Sequence, residues 1–227
     1  MKIKNNSVIG ILLPSYNREE KFMTDYVVVD LETTGFSSDI NEIIEIGAYK
    51  IVNGVAIEQF NTLVRPKCYI PRNIETMTGI TNEEVKGYAH IEEVLPKFYE
   101  WQKGFPLLGH NLGFDYEFLC KNGKILGIDF TETRTKLGID TLKLARKYLS
   151  LKSNKLSAVA ENYGVQLQTD EKHKYHRASY DAYVTKLIYD NMLEQYGNIP
   201  DIKTPEFLTV EDKRYGKVVN EDVLTFY

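Results

Sequence analysis

Asp30 and Glu32 stand two positions apart in the stretch VVVDLETTGF, residues 27–36, where an apolar run meets two acids. Side chains on a strand alternate between faces, so carboxylates at that spacing point the same way. They repel each other unless something positive lies between them. Two further acids stand near element ends: Asp115 in GHNLGFD (109–115), and Asp181 in HRASYDA (176–182), five residues after His176. Element ends are where loops gather and sites are commonly built. Singly, each has an ordinary explanation: a solvated strand end, a first-turn acid favoured by the helix macrodipole, a surface histidine. Together, a sheet with acids at adjacent strand ends and helix starts could bring all four carboxylates to one place.

The elements that would position them can be read from periodicity. Val27–Val29 form a buried strand running into Asp30. The segment 42–66 contains two β-rich runs around Asn53-Gly54, a hairpin signal, so the chain opens with three mostly antiparallel strands. IPRNIETMTGITNEE (70–84) reads as a loop with Pro71 and Gly79, followed by a capping box from Thr81 to Glu84. Ile91, Val94, Leu95, Phe98 and Trp101 have helical spacing over 90–103. FPLLGHN is then a short buried strand, and FDYEFLCKNGKILG a helix with Phe114, Phe118 and Leu119 on its apolar stripe. A strand at 137–140, a helix after Thr141, another over 155–163 and a long one ending at Gly197 complete the order. A meander followed by alternating helices and strands predicts an α/β domain with a mixed sheet.

Composition bounds the reading without deciding it. The 227 residues, 43% of them apolar, suffice for one large core. Twenty-eight basic residues against 32 acidic give a net charge of −4, so charge alone neither argues for a nucleic-acid partner nor excludes one. Cys68 and Cys120 have no neighbouring Cys or His at zinc spacing, which fits a reduced, cytoplasmic setting. The run Val8–Leu13 is too short for a good signal sequence, and no stretch reaches bilayer length.

Taken in order, DLETTG, IETMTGIT, GHNLGFD and HRASYDA resemble the DEDD exonuclease superfamily, in the variant whose third motif carries histidine. The similarity is greatest to the epsilon subunit and PolC-type proofreading domains of bacterial replicative polymerases. It covers residues 24–195, leaving 1–23 as an extension and 196–227 as a tail expected to be a small hairpin or a partner-binding segment. The resemblance implies an RNase H-like fold, with a central mixed sheet and helices on both faces.

Carried over residue by residue, the resemblance places the metal-site acids on Asp30, Glu32, Asp115 and Asp181, and the general base on His176 rather than His173. It places substrate contacts on Thr33, Thr34, Gly35, His110, Asn111 and Phe114. Converging carboxylates raise one another's pKa, and bound metal would supply the missing positive charge. Oxygen ligands favour two Mg²⁺ or Mn²⁺ ions over zinc. The implied activity is 3′ to 5′ hydrolysis of single-stranded or frayed ends, with DNA favoured over RNA and a polymerase or clamp subunit as candidate partner. The basic segment 172–177 is expected to touch the substrate backbone. Two competing readings are an oligoribonuclease-like enzyme acting on RNA and a catalytically silent nucleic-acid or polymerase-binding module. Retention of a repulsive acid cluster argues against the second.

Overall fold

A computed structural model describes residues 25–131, 137–167, 176–197, 206–208, 211–212 and 217–218. The extension at 1–23, His173 with most of the basic segment, and the terminal NEDVLTFY lie outside the described residues.

The first strand, β1 (Tyr26–Thr33), pairs antiparallel with β2 (Ile43–Val52), which pairs antiparallel with β3 (Val55–Leu63). The β2–β3 turn is Asn53-Gly54, both at positive φ, the geometry a tight two-residue hairpin requires. On its other side β1 pairs parallel with β4 (Leu107–Gly109), and β4 with β5 (Leu137–Asp140). A short antiparallel strand, β6 (Glu206–Phe207), completes the sheet in the order β3-β2-β1-β4-β5-β6. Beyond it, β7 (Glu211–Asp212) pairs with β8 (Lys217–Val218) as a separate two-stranded sheet.

Alternation along β1 divides the core into two layers. Val27, Val29 and Leu31 pack with α2 (Ile91–Gln102) and α3 (Leu112–Leu126) on one face. Tyr26 and Val28 pack on the other with α4 (Thr141–Tyr148), α5 (Leu156–Asn162) and α6 (Ala178–Tyr196). The three valines are fully buried, each contributing about 1.5–2 kcal/mol of apolar transfer. Helices therefore cover both faces of a mixed sheet, as expected for the RNase H-like α/β architecture.

One local expectation is corrected. The stretch read as a loop around Pro71 and Gly79 contains a helix, α1 (Arg72–Thr78), with Pro71 at its N-cap and Gly79 in the left-handed C-cap conformation. Seven residues are too few to display a helical period. Ile74 joins Ile44, Leu63, Ile70, Ile80 and Val85 in a small satellite core that makes the turn worth forming. Of the expected capping box one half forms: the Thr81 hydroxyl accepts the Glu84 N–H at 3.1 Å, ahead of a 3₁₀ turn over Glu84–Gly87 whose N-cap is Glu83.

The strands β1 and β4 run parallel, β1 continuing past the end of β4 to carry Asp30 and Glu32 beyond it, with β2 running the other way beside β1. In open α/β sheets, ligands commonly bind outside the carboxyl ends of the parallel strands. The sequence motifs converge on that edge.

Candidate active site

Four carboxylates reach this edge from three directions. Asp30 and Glu32 project from the α6-facing side of β1, with Gly47 and Glu45 as their partners on β2. Asp115 enters from the first turn of α3 and accepts the Leu31 backbone N–H at 3.0 Å. Asp181 sits in the first turn of α6. Glu32, Asp115 and Asp181 are buried and Asp30 is half-buried.

Burial and mutual repulsion disfavour ionisation of every member of the group. The Asp30 carboxyl is held well above the usual range by burial and then by the charges of Asp115, Asp181, Glu32 and Glu45. Glu32 is pushed up to about 9 by burial, Asp181, Glu45 and Asp115, with Arg177 pulling the other way. Burial also raises Asp115, despite backbone hydrogen bonds from Leu31 and its own N–H. Asp181 is raised to about 7, mainly by burial, with the His176 backbone hydrogen bond acting against the shift.

His176 stands just ahead of α6 with a left-handed φ of 65°, uncommon for a non-glycine residue. Its Nδ1 lies 4.0 Å from Asp181 Oδ2, and its ring is half exposed. Partial burial, then the charge of Lys155, depresses its pKa below the ordinary imidazole value, so it is neutral at pH 7.

This donor set fits divalent cations. Ligand atoms of Glu32, His176 and Asp181 lie within 4.8 Å of one another. Among the described residues Asp181 Oδ1 is buried without a hydrogen-bond partner, a state that a coordinated cation would relieve.

Beside the acids opens a cleft of about 810 Å³, lined by Phe36, His110, Asn111, Arg146, Lys155 and His176 among others. His110 is braced across it: Nε2 lies 2.9 Å from the Asn154 carbonyl and Nδ1 2.9 Å from Thr141 Oγ1. Asn111, at φ 71°, donates its backbone N–H to Asp140 Oδ1 at 2.9 Å. Phe114 is half-buried against Phe118, with ring centroids 5.0 Å apart, so it belongs to the core as well as to the site's rim.

The threonines of the ETTG turn are buried and build the turn itself. Thr33 Oγ1 donates to the Gly35 carbonyl at 2.6 Å, and Thr34 Oγ1 accepts the Glu42 N–H at 3.0 Å. A Cβ on Gly35 would come within 2.5 Å of Asn41 Oδ1, so a larger residue there would have to displace the Asn41 side chain.

Two features escaped the motif reading. Arg146 and Lys155 bring positive charge to the cleft from α4 and from the residue preceding α5, where no motif marks them. Glu45, 1% exposed in mid-strand, carries Arg177 on its carboxylate with contacts of 2.9–3.2 Å. Arg177 was expected to touch substrate with the rest of the basic segment. The structure turns it inward, because a buried acid requires a partner more than a solvent-exposed phosphate does. An acid inside the apolar run IIEIGA was the available signal.

The sequence profile described as Exonuclease (RNase_T) matches residues 27–189. The chain is 42% identical over 191 residues to the DNA polymerase III PolC-type protein of Clostridium perfringens, covering 82% of this chain but 12% of that protein. It is 39% identical over 172 residues to the DNA polymerase III subunit epsilon of Aquifex aeolicus, covering 75% of this chain and 81% of that one. Among solved structures, Exonuclease X in complex with 5′ overhanging duplex DNA matches with a TM-score of 0.60 at 25% identity, covering 76% of this chain and 93% of that one. The nuclease domain of 3′hExo, a DEDDh family member bound to rAMP, matches with a TM-score of 0.68 at 19% identity, covering 83% and 99%, a likeness of fold. With its acids gathered at the carboxyl edge of an RNase H-like sheet, the chain belongs to the exonuclease family, as a domain homologous to the PolC-type and epsilon proteins of DNA polymerase III.

Proposed function

We propose that this domain is a metal-dependent 3′ to 5′ exonuclease that hydrolyses the terminal phosphodiester of single-stranded or frayed DNA and releases nucleoside 5′-monophosphates. The observation that carries the reading is the convergence of Asp30, Glu32, Asp115 and Asp181 beside a neutral His176. A pure binding scaffold has no physical need for a buried acid cluster that repels itself.

Asp30, Glu32, Asp115 and Asp181 would hold two divalent cations, Mg²⁺ or Mn²⁺. Bound there, they would supply activation of the attacking water and stabilisation of the leaving 3′ oxygen. The protein's own part is positional and acid–base. His176 accepts the water's proton at Nε2, while Asp181 Oδ2, facing Nδ1 at 4.0 Å, stabilises the imidazolium that results. The depressed pKa keeps the ring available as a base at neutral pH. Asp181 Oδ1, without a hydrogen-bond partner among the described residues, is left for coordination.

The strand end is held by groups around the cleft. Arg146 and Lys155 face the phosphates, and the exposed ring of Phe36 and the half-buried ring of Phe114 offer stacking surfaces for bases. The Thr33-Thr34-Gly35 turn shapes the floor for the terminal nucleotide.

DNA is favoured because the relatives at about 40% identity are named for DNA polymerase III. The same similarity makes a DNA polymerase the proposed protein partner, with proofreading or repair as the role. Degradation of sequence-matched DNA and RNA oligonucleotides, labelled at either end, tests the reading. Stepwise mononucleotide release from the DNA 3′ end, dependent on Mg²⁺ or Mn²⁺ and stopped by EDTA, is expected. Faster degradation of RNA would move the substrate to ribonucleotides, and binding without cleavage would remove the enzymatic reading altogether.

A further inference from the structure

The two site residues on and before α6, His176 and Asp181, bracket a turn of chain that is fastened to the sheet by a contact no motif describes. Arg177 occupies the N-cap position, and its own side chain makes no capping hydrogen bond. Its guanidinium instead forks onto Glu45 of β2, with Nε at 3.1–3.2 Å from both carboxylate oxygens and Nη2 at 2.9 Å from Oε1. Glu45 Oε2 also accepts the Ala178 backbone N–H at 2.9 Å. A residue 133 positions away thus caps the helix that Arg177 leaves uncapped.

Two neighbours show that this fastening is built into the sheet. Glu45 is the register partner of Glu32, and Gly47 is the register partner of Asp30. A Cβ on Gly47 would lie 2.1 Å from the Ser179 nitrogen and 2.2 Å from the Ala178 carbonyl carbon. The glycine lets the helix start sit directly on β2, opposite the two acids of β1. Arg177 is one residue from His176 and four from Asp181, so the fork sets both against Asp30 and Glu32 through two strands of sheet.

We infer that Glu45 and Arg177 are positioning residues of the nuclease site: together they dock the start of α6 and thereby place His176 and Asp181 against the acids of β1. The inference rests on the exonuclease reading above and assigns neither residue a contact with substrate. Arg177 has a second effect, since its charge offsets that of Glu45, which otherwise adds a fifth carboxylate to the cluster.

The test compares the wild-type chain with Glu45→Gln, Arg177→Met and the double variant, using single-stranded DNA degradation and direct Mn²⁺ titration. Gln at 45 retains an acceptor for the Ala178 N–H, and Met at 177 retains the apolar stem. The double variant removes both charges of the pair at once and so avoids leaving the buried Glu45 carboxylate unpaired, which keeps it folded. Each single variant is expected to lower kcat on the order of 10- to 100-fold, with KM held within about twofold. The double variant is expected to lose no more than the worse single one, because the pair acts as a unit. Mn²⁺ affinity is expected to fall about tenfold or more, as for other residues that orient metal-binding carboxylates.

A raised KM with unchanged kcat would overturn the inference and make Arg177 a substrate contact. Additive losses, or Mn²⁺ affinity equal to wild type, would overturn it as well. A wild-type chain that binds Mn²⁺ without cleaving would defeat the exonuclease reading alone, leaving the positioning role to be judged on affinity. A wild type that neither cleaves nor binds would defeat both.

Discussion

Asp115, in the first turn of α3, accepts the backbone N–H of Leu31 at 3.0 Å, tying a helix start to the strand residue that separates Asp30 from Glu32. Asp115 therefore has two functions that substitution can separate. Asn retains an acceptor for Leu31 and removes the charge, whereas Ala removes both. Asp115→Asn is expected to keep or raise the melting temperature of the metal-free protein while lowering kcat about 100-fold or more. Asp115→Ala should lose similar activity and also about 1–3 kcal/mol of stability, through the unpaired Leu31 N–H. Thermal denaturation beside single-stranded DNA degradation checks both; equal stability of the two variants would contradict the assigned hydrogen bond.

The raised carboxylates make metal-free stability depend on pH in an unusual direction. Burial and neighbouring carboxylates push Glu32 up to about 9 and Asp181 to about 7 in the folded state, against ordinary values of 4.5 and 3.8. Between those limits the folded state binds more protons than the unfolded one, so unfolding free energy falls as pH rises. The metal-free protein is expected to lose melting temperature progressively from about pH 4.5 to about pH 9. Saturating Mn²⁺ should reverse the loss, and its binding at pH 7 should release protons, measurable by calorimetry in buffers of different ionisation enthalpy. A metal-free melting temperature that rises over that interval would show that the acids do not converge in solution.

Arg146 and Lys155 provide a test of how the strand lies in the cleft. Neither belongs to a metal-binding motif, so substitution should weaken binding and spare the chemical step. Arg146→Ala and Lys155→Ala are each expected to raise KM several-fold with little change in kcat. Each should also reduce the slope of log affinity against log salt by about 0.7, the value for one phosphate contact on a single strand. Unchanged salt dependence in both variants would place the strand elsewhere. Lys155→Ala carries a second signature: removing its charge should raise the His176 pKa and shift the acidic limb of the rate profile upward.

Much of this architecture was legible in the sequence, for reasons visible in particular residues. Val27–Val29 announced a buried strand, Asn53-Gly54 a hairpin, and Gly197 the end of a helix, because each rests on local chemistry. The acids became meaningful as a set, since order and spacing constrain several residues at once. What stayed hidden depends on long-range pairing. The seven residues of α1 form around the contact of Ile74 with Ile44 and Ile80, which no local period reports. The fork between Arg177 and Glu45 joins residues 132 positions apart, and the basic segment suggested a solvent-facing role for the arginine. Arg146 belongs to no motif, and only the fold brings it to the cleft.

The central claim is that Asp30 and its partners hold divalent metal for hydrolysis at a 3′ end. The measurement that bears on it most directly is release of mononucleotides from a 3′-labelled single-stranded DNA by wild type and Asp30→Ala, with Mg²⁺ or Mn²⁺ present. Wild type is expected to shorten the strand from its 3′ end, and the variant, folded and still able to bind the strand, to release label at least about 1,000-fold more slowly. Release by Asp30→Ala at the wild-type rate would contradict the account.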